Sequence, residues 1–155
     1  MSDTDDGKER LDRELQELLE EVRVAIPGAE VLFAFLLGIA FTNRFTSVTD
    51  LQRHTYFTTL LLTAAATALL IAPTAYHRVH FRNHDKERML FSVTRMVLTA
   101  LVLLSLAVTG AVFLVADLVY SGPAPAAIAA ATAGWFAWFW FGLPLSRRLT
   151  RRSER

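Results

Sequence analysis

The chain is 155 residues long, enough for one domain, and 53% of its residues are hydrophobic, a larger share than is usual in soluble proteins. Its net charge of +1 hides a separation of charge, because residues 1–23 hold nine acids and four bases whereas residues 146–155 hold five arginines and one acid. The absence of cysteine excludes disulfides, thiol catalysis and thiolate metal sites.

The N-terminal segment, residues 1–23, predicts a cytoplasmic acidic amphipathic helix. Its apolar residues recur at helical spacing, at Leu11, Leu15, Leu18, Leu19 and Val22. We favour packing of this stripe on the rest of the protein. The alternative is a coiled coil with a second copy, but the stripe is only about two heptads long, which is short for one. A cleaved secretory signal is not expected, because no basic stretch leads directly into an apolar core.

Four apolar stretches approach or reach the roughly 20 residues that a helix needs to cross a bilayer. They are predicted to span the membrane at about 24–43, 56–76, 89–119 and 125–145. The first is the weakest, because it contains Pro27 and Glu30. Polar faces of the kind that soluble helices carry are missing from these stretches. The expected fold class is therefore all-α, an integral membrane four-helix bundle over residues 24–145 with an N-terminal cytoplasmic amphipathic helix and a basic cytoplasmic tail at 146–155.

Lysine and arginine counts in the connections predict the orientation of the spans, since cytoplasmic loops carry the excess. The N-terminal segment and the second loop hold four such residues each, and the C-terminal tail holds five. The first loop holds only Arg44 and Arg53, and the third loop holds none. Both termini are therefore expected in the cytoplasm of a multi-pass protein of the plasma membrane. The aromatic cluster at 135–141 would then lie at the cytoplasmic interface, which tryptophan favours.

The first loop contains signals for the start of a helix. Ser47 and Asp50 resemble a capping box, and Thr49 is equally suited to cap the helix. Either choice predicts a helix that begins near Thr49 and continues into the second span. Pro73, near the inner end of that span, is expected to bend it.

The second loop is basic and contains three histidines. Its cations are expected to contact anionic lipid phosphates at the cytoplasmic face, namely Arg78, Arg82, Lys86 and Arg88. His77, His80 and His84 would share one face if the second helix continued past Tyr76. A metal site on these histidines is the weaker interpretation, because only Asp85 adds another type of ligand nearby.

Three charged residues lie inside the predicted spans, Glu30, Arg95 and Asp117. Glu30 and Arg95 each lie about 9 Å from the cytoplasmic ends of their spans, which predicts an ion pair between the first and third spans. A second pair is expected between Arg44 and Asp117 at the outer ends. The alternative is that Arg95 extends to the interface and Glu30 contacts Arg23. A proton relay is disfavoured, because no titratable group lies between the inner pair and Asp117.

Four motifs and Lys86 extend over about residues 18–118: LLEEVRVAIPGAEVLFAFLL, FTNRF, QRHTYFTTLLL and APTAYHRVHFR. In this combination they resemble a family of small, uncharacterised actinobacterial integral membrane proteins (domain of unknown function 6328). The resemblance implies a membrane location and a helical fold rather than an activity. Some members carry a sodium:proton antiporter label. Tyr76 departs from the smaller residue that the family pattern has before the histidine.

The sequence contains no phosphate loop, nucleophile motif or glycine-rich cofactor turn, so no enzymatic activity, cofactor or nucleic-acid partner is expected. A structural, accessory or regulatory membrane component is the favoured function. The alternative is an oligomeric small transporter or channel, similar to a sodium:proton antiporter. Four spans are few for a transport path, so this alternative requires a homo-oligomer. Ala130 and Gly134 form a small-xxx-small pair that would serve contacts between copies or within one chain.

Overall fold

The computed structural model describes residues 3–43, 47–79 and 86–142, and these ranges are almost entirely helical. In chain order the elements are α1 (Asp3–Ala40), α2 (Asp50–Val79), α3 (Lys86–Val119), α4 (Ala124–Phe136) and a π-helix (Ala137–Gly142). No strand is found in the described ranges, so the predicted all-α class is confirmed there.

Helix α1 runs without a break from the predicted amphipathic segment into the predicted first span. Its 38 residues give a length of about 57 Å, nearly twice the roughly 30 Å hydrocarbon core of a bilayer. Between residues 14 and 26 the sequence holds no glycine or proline and is rich in leucine and glutamate, which favour helix. The boundary predicted after residue 23 is therefore a change in composition within one helix. Pro27 lies inside the same helix.

Three helices are long and apolar enough to cross a membrane, counted over the described residues alone. The qualifying segments are Gln16–Ala40, Asp50–Pro73 and Phe91–Val119. Each of them overlaps one of the first three predicted spans, and both of its ends lie within several residues of the predicted ends.

The fourth predicted span is divided between two helix types. The α-helix ends at Phe136, and the N–H of Ala137 donates to the carbonyls of both Ala133 and Gly134 where the π-helix begins. Two ring pairs accompany the change, Trp135 with Phe139 at 4.7 Å and Phe136 with Trp140 at 4.8 Å between centroids. A π-turn is wider than an α-turn, which suits consecutive bulky rings. Residues 143–145 lie outside the described ranges, so the fourth span and the membrane four-helix bundle stay predictions.

The chain forms two compact units, and each unit has its own core. The first comprises residues 1–47 and 60–104, and the second comprises residues 48–59 and 105–155. The core of the first unit is mainly aliphatic: Val22, Ala29, Leu36, Thr63, Ala66, Leu70, Pro73, Val93, Val97, Ala100 and Leu104. These positions recur every three, four or seven residues along their helices, so each helix buries one face.

The core of the second unit is smaller and more polar. Its buried residues are Tyr56, Thr59, Ser105, Ala107, Ala116 and Pro125. Small side chains allow helices to approach closely, and hydroxyl groups need hydrogen-bond partners where water is excluded. The polar residues of this unit are therefore the natural place to look for a functional site.

Candidate functional site

A row of polar and small residues joins α2 to α3 in the second unit, and we call it the polar seam. Its members are Gln52, Tyr56, Thr59, Gly110 and Asp117. The three members on α2 are spaced four and three residues apart, which puts them on one helix face. Tyr56 and Thr59 are 3% and 1% exposed, so this polar face of α2 is turned inward.

The seam begins at a capping box at the start of α2. The backbone N–H of Gln52 donates to the Thr49 hydroxyl oxygen at 3.2 Å, and the Thr49 N–H donates to Gln52 Oε1 at 3.0 Å. The prediction that a helix begins near Thr49 is confirmed. The box joins Thr49 to Gln52, because a glutamine three residues after the cap is long enough to reach back. Asp50 instead pairs with Arg53 at 3.4 Å on the exposed side.

The same glutamine links the cap to α3. Gln52 Nε2 donates to Asp117 Oδ2 at 2.9 Å in a partly buried contact. One amide group therefore holds the start of α2 with its oxygen and the carboxyl group of α3 with its nitrogen. The predicted partner of Asp117, Arg44, lies outside the described residues, so that pair stays a prediction. The contact of Gln52 with Asp117 was not predicted from the sequence, although the spacing of Gln52, Tyr56 and Thr59 indicates a polar face on α2.

Deeper along the seam, α2 and α3 touch through Gly110. A Cβ atom added there would collide with the hydroxyl oxygen of Thr59, and it would lie 3.4 and 3.5 Å from Thr59 Cβ and Cγ2. The glycine is required by this close approach. Gln52 lies seven residues before Thr59, whereas Asp117 lies seven residues after Gly110. The two contacts therefore show that α2 and α3 run antiparallel along the seam.

Several threonine hydroxyl groups donate hydrogen bonds within their own helix. Thr67, Thr99, Thr109 and Thr132 each donate to the carbonyl four residues earlier, at 2.8–2.9 Å. Such bonds satisfy a hydroxyl in surroundings that offer no water. Within the described part of the chain, every buried side-chain nitrogen and oxygen has a hydrogen-bond partner. The seam is thus a satisfied packing element between helices.

The inner charges predicted to pair, Glu30 and Arg95, are both exposed on the first unit. The guanidinium of Arg95 lies over the ring of Phe91, 5.8 Å from its centroid. Among the described side chains the ion pair found is Asp50–Arg53, and Glu30 and Arg95 are not brought within ion-pair distance of each other.

The residues of the second loop fall largely outside what the structure describes. His77 and Arg78 lie in the last turn of α2, and Lys86 and Arg88 lie in the first turn of α3, but none of these four side chains is described. Arg82, His80 and His84 are outside the described ranges altogether. The lipid contacts and the weaker metal site therefore stay predictions. In the described residues, no group of three metal-binding side chains is found.

One comparison with known proteins identifies a relationship. The sequence model of a family of unknown function (DUF6328) matches residues 4–144, which is nearly the whole chain and more than the stretch covered by the motifs. No curated protein and no solved structure matches the chain. The comparisons therefore give a family and leave the activity to be argued from the structure.

Proposed function

We propose that this chain, which belongs to the family of unknown function (DUF6328), is a multi-pass membrane protein with a structural, accessory or regulatory role in the plasma membrane. One observation carries the proposal. Polar side chains such as Thr59 are enclosed between helices, whereas large apolar side chains cover the outer surfaces of the long helices. A water-soluble helical protein has the opposite arrangement, since its polar faces contact water.

The outward apolar residues occur on all three candidate spans. Large hydrophobic side chains that are at least 48% exposed include Val31, Phe35, Leu61, Phe91, Leu106 and Val115. Isolated exposed hydrophobic residues are normal on soluble proteins, but continuous apolar surfaces mark contact with lipid or with other proteins. Their presence along three helices, each of about 24 residues or more, favours lipid as the surroundings.

The orientation rests on charge. The excess of lysine and arginine in the N-terminal segment, the second loop and the C-terminal tail favours a cytoplasmic location for all three. This arrangement requires four crossings, so the α4 segment and the π-helix that follows it would together form the fourth span. The exposed rings of Trp135 and Trp138 would then lie at the cytoplasmic interface.

The structural role is supported by how polar groups of the second unit are satisfied. Gln52 is occupied by Thr49 and Asp117, and the Thr109 hydroxyl is bonded to its own helix. Groups that satisfy one another hold helices in one setting, whereas a transport path needs groups that exchange partners with an ion or with water. The arrangement supports a rigid packing element, and no observation favours transport.

Cysteine labelling tests the topology, because the natural chain has no cysteine. Single variants Ser121→Cys and Ser153→Cys are treated with a membrane-impermeant maleimide on intact cells and again after permeabilisation. We expect Ser121→Cys to react in intact cells and Ser153→Cys to react only after permeabilisation. Reaction of both in intact cells would show that the segment between them does not cross. Reaction of Ser153→Cys alone would reverse the orientation.

A flux assay tests the role. Purified protein in liposomes is expected to give no sodium or proton flux above that of empty vesicles, measured with entrapped pH and sodium dyes. The matched control is Glu30→Gln, which keeps the size of the side chain but cannot titrate. Flux that is present in the natural protein and lost in Glu30→Gln would replace the structural role with transport.

A further inference from the structure

We infer that two copies of this chain associate in the membrane through ion pairs between Glu30 of one copy and Arg95 of the other. The inference rests on the proposed membrane location. Both side chains belong to the first unit, both are exposed, and both lie inside candidate spans, Gln16–Ala40 and Phe91–Val119. An ionised group that faces lipid inside a span is costly, so such residues normally face a partner or water.

The two charges lie at similar distances from the basic residue that precedes each of them. Glu30 is seven residues after Arg23, and Arg95 is seven residues after Arg88, with no charged residue in either interval. In each case the distance is about 10 Å along the helix. With Arg23 and Arg88 both at the cytoplasmic surface in the proposed topology, the carboxylate and the guanidinium would lie at a similar depth.

Neither charge has an ion-pair partner among the described side chains. In the described structure Glu30 has no ion-pair partner, and the contact of Arg95 is with the ring of Phe91. A cation over an aromatic face is attracted to the ring but keeps its full charge. Glu30 and Arg95 are thus two opposite charges that are both exposed on one chain.

The surface around Glu30 carries small exposed residues on which another helix could pack closely. Glu30, Ala34 and Gly38 follow one another at intervals of four residues, and all three are exposed. A Cβ atom added at Gly38 would meet nothing within 4 Å. Small residues at this spacing let a second helix approach closely. This row of Glu30, Ala34 and Gly38 thus allows a neighbouring helix to come near enough for an arginine side chain to reach the Glu30 carboxylate.

A second copy is the occupant that satisfies both charges together. Under twofold symmetry, Glu30 of each copy meets Arg95 of the other, and two equivalent ion pairs form in one interface. An anionic lipid would satisfy Arg95 through its phosphate but would repel Glu30. A different protein would need to supply both a base and an acid at the same depth, whereas this chain already carries both.

Exchange of charge between copies tests this arrangement. Copies with donor and acceptor fluorophores are reconstituted in liposomes, and association is measured by energy transfer at several protein-to-lipid ratios. Glu30→Arg places arginine opposite arginine at both pairs, and Arg95→Glu places acid opposite acid. Each variant alone is expected to lose association by at least about tenfold, because like charges oppose each other across the interface.

The decisive sample is a mixture of the two single variants. A Glu30→Arg copy and an Arg95→Glu copy restore opposite charges at both positions between copies, so energy transfer should return to the natural level. Mixing cannot repair a pair within one chain. Failure of the mixture to associate, or a natural protein that stays monomeric at every ratio, would overturn the inference.

Controls separate misfolding and mislocation from loss of the pair. The double variant Glu30→Arg with Arg95→Glu should associate with itself, and the exposed change Arg53→Glu should leave association unaltered. Loss of association in Arg53→Glu would show that the interface is not specific to the pair and would overturn the inference. Each variant is also extracted with alkaline carbonate. Natural protein released by carbonate would refute the proposed membrane location, whereas protein retained as a monomer would refute only the association.

Discussion

At Gly110 the packing of α2 on α3 leaves no room for a Cβ atom, so its replacement by alanine gives a quantitative test. The added Cβ collides with one atom, the Thr59 hydroxyl oxygen, while its contacts with Thr59 Cβ and Cγ2 at 3.4 and 3.5 Å are ordinary. Thr59 is 1% exposed and is hydrogen-bonded, so its hydroxyl has little freedom to turn away.

Two effects of opposite sign set the magnitude. Overpacking of a filled core costs about 1–3 kcal/mol. Replacement of glycine by alanine in a helix interior stabilises by about 0.5–1 kcal/mol. Gly110→Ala should therefore lower the free energy of unfolding by up to about 2.5 kcal/mol. When Thr59→Ala removes the colliding oxygen, the same change should become neutral or stabilising, which corresponds to a coupling energy of about 1–3 kcal/mol.

Gly28→Ala is the matched control, because an added Cβ at Gly28 meets nothing within 4 Å. It should be neutral or stabilising, and its effect should add to that of Thr59→Ala. Unfolding is followed by far-UV circular dichroism during titration of mixed micelles with a denaturing detergent. Equal effects of Gly110→Ala and Gly28→Ala, with no coupling between Gly110 and Thr59, would refute the close approach of α2 and α3.

Three further expectations follow from the described contacts. Thr49→Ala should lower the free energy of unfolding by about 0.5–2 kcal/mol in the same detergent titration, because the Gln52 N–H loses its acceptor, whereas Thr49→Ser should retain most of it. Gln52→Glu should destabilise the protein at neutral pH, because it places two carboxylates together, and the added change Asp117→Asn should restore the stability. A loss of stability that does not become smaller on acidification would contradict the contact between residues 52 and 117. Emission from Trp135 and Trp138, 66% and 63% exposed, should be quenched more by lipids brominated near the head group than near the chain end, if these rings lie at the interface.

Local signals in the sequence were sufficient for the helices and for one cap. Apolar runs predicted helices where α1, α2 and α3 lie, and the Thr49 region predicted the start of α2, because both depend on residues close in sequence. The continuity of α1 across residue 23 was not predicted, since a change from polar to apolar composition was treated as a boundary. The division of the fourth span was missed for a similar reason, because hydropathy does not distinguish an α-helix from a π-helix.

Contacts between helices required information that one sequence does not contain. The Gln52–Asp117 bond joins residues 65 positions apart, and the contact of Gly110 with Thr59 depends on the rotation of both helices about their axes. Depth in a membrane can be counted in residues, but rotation cannot be counted in the same way. A similar depth for Glu30 and Arg95 could therefore be predicted from the sequence, whereas the outward direction of both side chains could not.

The direction in which each polar group points divides the polar residues of the candidate spans into two classes with different consequences. Gln52, Thr59 and Asp117 find partners within the chain, so their replacement should change the stability of a single copy. Glu30 and Arg95 point away from the fold, so their replacement should change what the chain binds more than how it folds. In the proposed interface each carboxylate would be occupied by a guanidinium of the other copy, whereas a group on a transport path must exchange its partners with an ion or with water. The proposed pair between copies therefore favours assembly over transport.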